Sequence, residues 1–268
     1  MSDIKEKSAV AAATAATETG NIHIQIITDE EEKIKHPMKV LIACEESQRV
    51  CAAFRELGHE AYSCDIQEPS GGHPEWHILG DVLRVLNPAP LPLSDGSGIC
   101  FVTMDGRFHK VDRWDLIIAH PPCTYLTPAG SCRLFDKDHN VINKDREQKL
   151  WDAVSFFRMF LDSDCDKIAV ENPAPMKYCK LPKYSQIIEP YYFGDSWKKR
   201  TCLWLKNLPP LKPTEMVKPI SCWVETNGRT CRTKLRGAKG ARSAKERSKT
   251  FPGIAKAMAQ QWGGNLNE

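Results

Sequence analysis

An open, doubly wound α/β sheet of mostly parallel strands is the fold class this sequence predicts, and three observations predict it. Short apolar runs suited to buried strands recur at 38–44, 60–65, 116–119 and 167–171. Helical patterns alternate with them, which is the rhythm of strand, crossover helix and parallel strand. Two of the runs also end alike, on a polar residue followed by proline, as strands do where a sheet gives way to loops.

Residues 1–37 are alanine- and threonine-rich, then acidic around Asp29 to Glu32, and read as a flexible extension. Order begins at Met38–Cys44, a buried strand, and continues as a helix over Ser47–Leu57 that Gly58 stops in the expected C-terminal position. Glu60–Asp65 is a second strand and His77–Asp81 a short third. Between Leu91 and Val111, two extended runs flank Asp105-Gly106, which predicts a β-hairpin. A helix over Lys144–Leu161 places Leu150, Val154, Phe157 and Leu161 on one face. The strand ending at Glu171 follows, then a stretch rich in proline and tyrosine from Pro173 to Trp197, and Thr201–Leu205 returns to the sheet.

In open α/β sheets, ligands bind beyond the carboxyl ends of the strands. Pro121 and Pro122 lock two φ angles after Leu116–Ala119 and hold Cys123 at such an end, where a thiol is placed as a nucleophile. The alternative is a cysteine that fills space beside a turn. Glu171 and Asn172 close a second run before Pro173, so a carboxyl group and an amide are expected on the same edge of the sheet; a solvated turn is the competing account.

Pro121-Pro122-Cys123 resembles the Pro-Cys motif of DNA (cytosine-5)-methyltransferases, and Val170-Glu171-Asn172-Pro173 resembles their Glu-Asn-Val motif, in the same order. Trp197–Leu205 resembles the Gln-x-Arg-x-Arg strand, with Arg200 on the first arginine, Lys198 in place of the glutamine and Cys202 in place of the second arginine. Arg247–Trp262 occupies the place of the closing helix. The likeness spans Met38 to Trp262 and is nearest to the short, phage-type branch. It implies a Rossmann-like S-adenosylmethionine-dependent methyltransferase fold and a cytosine-containing DNA target. It divides the chain into a catalytic domain over 38–205, a short target-recognition region over 206–248 and a C-terminal helix over 249–268 that packs back on the domain.

The same resemblance implies the chemistry. Cys123 adds to carbon 6 of an everted cytosine, Glu171 holds the ring nitrogen and exocyclic amine and supplies a proton, Asn172 supports the Pro122-Cys123 loop, and Arg200 steadies the base or its phosphate. The family's glycine-rich cofactor turn reads Ala43-Cys44-Glu45-Glu46-Ser47-Gln48 here, so Glu45 and Ser47 are expected to hold the cofactor instead. Asp65 is expected on the ribose hydroxyls, Asp81 on the adenine amine, and His120 at the cofactor as well. The acids read equally well as cap or turn residues.

Net charge is only +3, which excludes a generic polyanion binder, but Arg229, Arg232, Lys234, Arg236, Lys239 and Arg242 crowd one segment. That basic loop suits phosphate neutralisation, with a solvated surface segment as the alternative. No apolar stretch approaches a membrane span, and the chain is expected to be soluble, cytoplasmic (in the host cell if phage-encoded) and monomeric. The eleven cysteines contain no Cys-x-x-Cys pair, so reduced thiols and no metal are expected. Two rivals remain: a DNA amino-methyltransferase, whose motif carries an aromatic ring where Cys123 stands, and a catalytically silent nucleic-acid-binding protein.

Overall fold

A computed structural model of the chain describes residues 36–86, 98–223 and 244–264. Its centre is a seven-stranded sheet. In chain order the elements are β1 (Lys39–Ala43), α1 (Arg49–Glu56), β2 (Glu60–Asp65), β3 (His77–Leu79) and α2 (Leu83–Leu86). The hairpin β4 (Ile99–Val102) and β5 (Phe108–Val111) follows, then β6 (Leu116–Ala119), α3 (Lys144–Leu161), β7 (Ile168–Asn172), β8 (Gln186–Ile188), β9 (Trp197–Lys198) and β10 (Thr201–Lys206). The last described elements are β11 (Ser221–Cys222), α4 (Ala244–Ser248) and α5 (Pro252–Met258).

The strand order is β3-β2-β1-β6-β7-β10-β8. All neighbours through β7 run parallel, while β10 is antiparallel to both β7 and β8. Order reverses between β1 and β6, which makes the gap beyond their carboxyl ends the switch point where such sheets bind ligands. This mostly parallel sheet with helices on both faces is consistent with the Rossmann-like methyltransferase fold.

Both faces are covered, so the central strands are buried along their length rather than alternating with water. One face carries Leu41, Ala43, Ile117, Ala119, Ile168, Val170, Cys202 and Trp204 against α3. The other carries Val40, Ile42, Leu116, Ile118, Ala169 and Leu203 against α1 and α5. Helix α3 starts where Asn143 Oδ1 accepts the Arg146 N–H at 2.9 Å, with Asp145 and Glu147 in the first turn to complement the helix dipole. Its buried stripe is Leu150, Val154, Phe157 and Phe160. Phe160 takes the place expected for Leu161, which is only half-buried, because the ring stands nearer the centre of the contact face.

Four other expectations shift. The third strand stops at Leu79, since Asp81 turns to accept the Leu83 N–H at 3.0 Å and start α2. Strand β7 runs one residue further, through Asn172. The stretch between Pro173 and Trp197 contributes β8 to the sheet edge, held by Gln186 bonds to Leu211 in both directions. Cys222 is disulfide-bonded, contrary to the reduced state expected throughout, while the other cysteines among the described residues are free.

Helix α5 starts tight against the turn at 190–195 because residue 253 is glycine: a Cβ there would collide with the Phe193 carbonyl oxygen. The Gly253 N–H instead donates to Asp195 Oδ2 at 2.9 Å, and α5 lays Ile254, Ala255, Ala257 and Met258 against the α1 face.

The α3 face supplies a direct test of what holds the sheet. Phe157 is fully buried and meets Trp204 edge-on at 4.9 Å. Phe157→Ala is expected to cost about 3–5 kcal/mol, read as a lower urea midpoint at unchanged slope.

Candidate active site

The register of β6 and β7 builds the site. Ala119 lies beside Val170, so the next residues, His120 and Glu171, emerge as lateral neighbours on the face shared with Ile118 and Ala169. His120 Nδ1 lies 3.0 Å from Glu171 Oε2, and the two side chains are only 8% and 12% exposed. Glu171 also pairs in register with Leu203 of β10. Two residues back along β10, Thr201 comes within hydrogen-bonding reach of its carboxylate, and the Lys199 charge acts on it as well.

The loop bearing the thiol is tied down from the neighbouring strand. Asn172 Nδ2 donates to the Pro121 carbonyl at 2.7 Å, inside the protein. The Cys123 carbonyl then accepts the N–H groups of Leu126 and Thr127, closing a tight turn. Pro121 is buried and Pro122 exposed, and Cys123 is half-buried between them and the turn. The thiol and Glu171 are near enough for the carboxylate charge to act on the sulfur, so the structure brings Pro122, Cys123, Glu171 and Asn172 to one place.

Beside Glu171 lies a pocket walled by Lys199, Thr201, Thr250, Phe251 and Ile254. It offers a carboxylate, an ammonium and two hydroxyls at one end and apolar walls from the start of α5 at the other.

Burial competes with charge at both reactive groups. Burial pushes the Cys123 thiol up, and the Glu171 charge pushes it further, against the opposing effects of its own backbone contact, Lys199 and Arg247. At rest the sulfur is therefore a thiol. Glu171 goes the other way. Burial raises it, but the His120 hydrogen bond, the Lys199 and His120 charges and the Thr201 hydroxyl together outweigh burial and hold the carboxyl below its usual range. Glu171 is a carboxylate at neutral pH.

Several expected roles need correction. Arg200 is exposed, and because residues alternate along the chain entering β10, it points away from the face shared by Lys199, Thr201 and Glu171. Its charge acts on Glu189 and Cys202 instead. Lys199 is the cation at the site, one residue earlier than motif matching placed it. Glu45 is not turned toward a ligand: it is 4% exposed, and its carboxylate accepts the Val50 N–H at 2.8 Å and the Cys51 N–H at 3.2 Å at the start of α1. Ser47 is 8% exposed and donates to Glu45 at 3.4 Å. His120 is engaged with Glu171 rather than with the cofactor region.

The turn after β1 adopts left-handed backbone without glycine. Cys44 and Gln48 adopt φ of 59° and 56°, left-handed values that cost a residue with a Cβ about 1–2 kcal/mol each. The Gln48 side chain offsets part of this, donating to the His73 carbonyl at 2.8 Å and to Ser63 Oγ at 3.2 Å and accepting the His73 N–H at 3.1 Å. Asp65, at the end of β2, accepts the Gln67 N–H through Oδ1 at 2.9 Å, and Asp81 is bonded through Oδ1 to Leu83. Each acid has its second oxygen outside these bonds, and both charges reach the Cys44 thiol between them. Ile66 stands beside Asp65 at 78% exposure, an apolar surface that sequence reading missed although its place directly after the acid was visible. Asp65, Asp81 and Ile66 thus suit the diol, amine and ring of an adenosine. Arg229, Arg232, Lys234, Arg236, Lys239 and Arg242 lie outside the described residues.

No family model and no curated protein matches the chain. Among solved structures, a mutant of DNMT2 from Spodoptera frugiperda aligns with 68% of this chain at 14% identity and a TM-score of 0.33. The chain spans 57% of the length of that neighbour.

The opposed charges around the sulfur predict two shifts of opposite sign. Glu171→Gln removes a negative charge and moves the Cys123 thiol titration to lower pH; Lys199→Ala removes a positive one and moves it higher. The pH dependence of iodoacetamide alkylation at Cys123, read by peptide mass, checks both.

Proposed function

We propose that the chain is a DNA cytosine methyltransferase that transfers a methyl group from S-adenosylmethionine to carbon 5 of cytosine through a covalent adduct at Cys123. The observation that supports this reading most is the junction of two adjacent strand ends. A thiol on a proline-stiffened loop and a buried carboxylate on the next strand are locked together by the Asn172 to Pro121 bond.

Carbon 5 of cytosine is a weak nucleophile, and addition of a thiolate at carbon 6 converts the ring to an enamine whose carbon 5 can attack. Cys123 makes that addition, its S–H proton passing to the neighbouring Glu171 carboxylate and on to the ring nitrogen as the bond to carbon 6 forms. Its resting state as a thiol is matched to this task, because the Glu171 charge that disfavours the thiolate is the charge a bound base covers. The Glu171 carboxylate accepts the exocyclic amine, and Lys199, on the same side, faces the acceptor atoms of the ring. Phe251 and Ile254 border this edge of the site, and a base would approach Glu171 and Cys123 by leaving the stack.

S-adenosylmethionine, when bound, supplies the methyl group as an electrophilic sulfonium. Asp65 would hold its ribose hydroxyls, Asp81 its adenine amine and Ile66 the ring face; Glu45 and Ser47, spent on α1, would not take part. The basic residues between Arg229 and Arg242 would meet the phosphates, continuing the exposed cations Lys245 and Arg247 of α4. The cysteine at position 123 favours carbon-5 chemistry over amino-methylation, whose motif carries an aromatic ring at that position.

Incubation with cofactor and DNA carrying 5-fluorocytosine is expected to trap a covalent complex whose linked peptide contains Cys123, and Cys123→Ser is expected to give none. DNA that binds but never becomes linked, or becomes linked at another cysteine, rules the mechanism out.

A further inference from the structure

Burying a carboxylate without hydrogen bonds is costly, and folded proteins leave few such groups. The turn after β1 carries two acids that differ in this respect. Glu45 is satisfied by the Val50 and Cys51 amides and the Ser47 hydroxyl. Glu46 is 5% exposed, and neither of its carboxylate oxygens takes a hydrogen bond among the described residues. It pairs with Lys245 Nζ of α4, 3.3 Å from Oε2, but the contact lacks hydrogen-bond geometry and the lysine side chain is half-exposed. The main chain of the turn is fixed from the other side. The Glu46 carbonyl accepts the Ser70 N–H at 2.8 Å, and a Cβ on the adjoining Gly71 would lie 2.6 Å from Gln48 Cβ. A buried anion on a rigid turn, capped by one loosely held cation, is able to exchange that cation for a better-placed one.

The strand order indicates which cation. Read across the carboxyl ends of the sheet, Asp81 follows β3, Asp65 closes β2, Glu46 follows β1 and Cys123 follows β6. With adenosine at Asp65 and Asp81 and the reacting base at Cys123, the sulfonium that joins them lies beyond β1. The amino-acid chain it carries ends in a carboxylate and an ammonium. The carboxylate finds no free amide at the start of α1, because Glu45 has taken those of Val50 and Cys51. The ammonium finds Glu46.

We infer that Glu46 binds the ammonium of the methionine part of S-adenosylmethionine and that Lys245 gives way to it. This inference rests on the cofactor reading. No covalent bond changes: one ion pair replaces another, and the three N–H groups of an ammonium placed between the two oxygens satisfy acceptors that Lys245 leaves without a hydrogen bond. Glu46 thereby selects adenosyl ligands that carry an amino-acid tail over those that lack one.

Calorimetric titration of the full chain with S-adenosylhomocysteine and with 5′-methylthioadenosine separates the tail from the nucleoside, since the second ligand has neither ammonium nor carboxylate. The wild-type chain is expected to bind S-adenosylhomocysteine more tightly. Glu46→Gln is expected to weaken that ligand about 10- to 100-fold and to leave methylthioadenosine unchanged. Lys245→Ala removes the competing cation and is expected to tighten S-adenosylhomocysteine by up to about fivefold, again without effect on methylthioadenosine. Equal affinity of the wild-type chain for both ligands overturns the inference. So does a Glu46→Gln chain that keeps the wild-type preference, or one that weakens both ligands alike, which marks a purely structural role. Should Glu46→Gln fail to fold, Lys245→Ala decides alone, and S-adenosylhomocysteine binding no tighter than wild type overturns the exchange. A wild-type chain that binds neither ligand defeats the cofactor reading itself, whereas loss of the preference alone defeats the role of Glu46.

Discussion

The parallel pairing of β6 with β7 is the constraint from which the site follows. Because both strands run the same way in one register, their carboxyl ends finish level, and the residues immediately beyond them must be neighbours. His120 and Glu171 touch for that reason, and Asn172 reaches back to the Pro121 carbonyl for the same reason. A slip of one residue would send Glu171 to the α3 face, away from Lys199 and Thr201, and would separate the thiol loop from its tether. The register itself is held by burial on both faces: Ile117, Ala119, Ile168 and Val170 pack under α3, and Ile118 with Ala169 under α1 and α5.

Around that junction, five ionisable groups share a nearly dry space, and their order decides their states. Two carboxylates flank one imidazole. Glu171 meets it through a hydrogen bond and has a lysine on its other side, so it stays ionised despite burial; Glu45 has helix amides and a more distant charge, and burial wins, holding it above the usual carboxylate range. The two carboxyl groups are thus pushed apart by their environments, one held ionised and the other shifted toward its neutral form. The sulfur feels the same field with opposite consequence, since burial and the negative charge of Glu171 together keep it a thiol.

Much of this was legible in the sequence because strand ends announce themselves. Apolar runs terminated by proline located both Cys123 and Glu171, and the helix over Lys144–Leu161 lies where its periodicity puts it. The sequence was less informative where contacts rather than pattern decide. Gln186–Ile188 is too short and too mixed to show a period, and only pairing with β10 makes it a strand. Arg200 matched a motif by residue type, but the face a side chain occupies depends on register, and register assigns the site to Lys199. Glu45 and Ser47 were read as ligands because acids and hydroxyls in a turn invite that reading, whereas the partners of Glu45, the Val50 and Cys51 amides, and that of Ser47, the Glu45 carboxylate, appear only when α1 is placed.

The turn after β1 shows how a sheet of this class can dispense with the glycines expected there. Glycine serves such a turn in two ways, by adopting left-handed backbone and by leaving room for a ligand. Cys44 and Gln48 supply the first at a cost in strain, and the Gln48 amide recovers part of it by knitting the turn to His73 and Ser63. The second is given up, because the Glu45 carboxylate occupies the amides at the start of α1 that an incoming anion would use. The ends of β2 and β3 remain open instead, where Asp65 and Asp81 each keep an oxygen outside their bonds to Gln67 and Leu83 and Ile66 is exposed. The Glu45 carboxyl group of the turn is directed inward, where burial holds it above the usual carboxylate range.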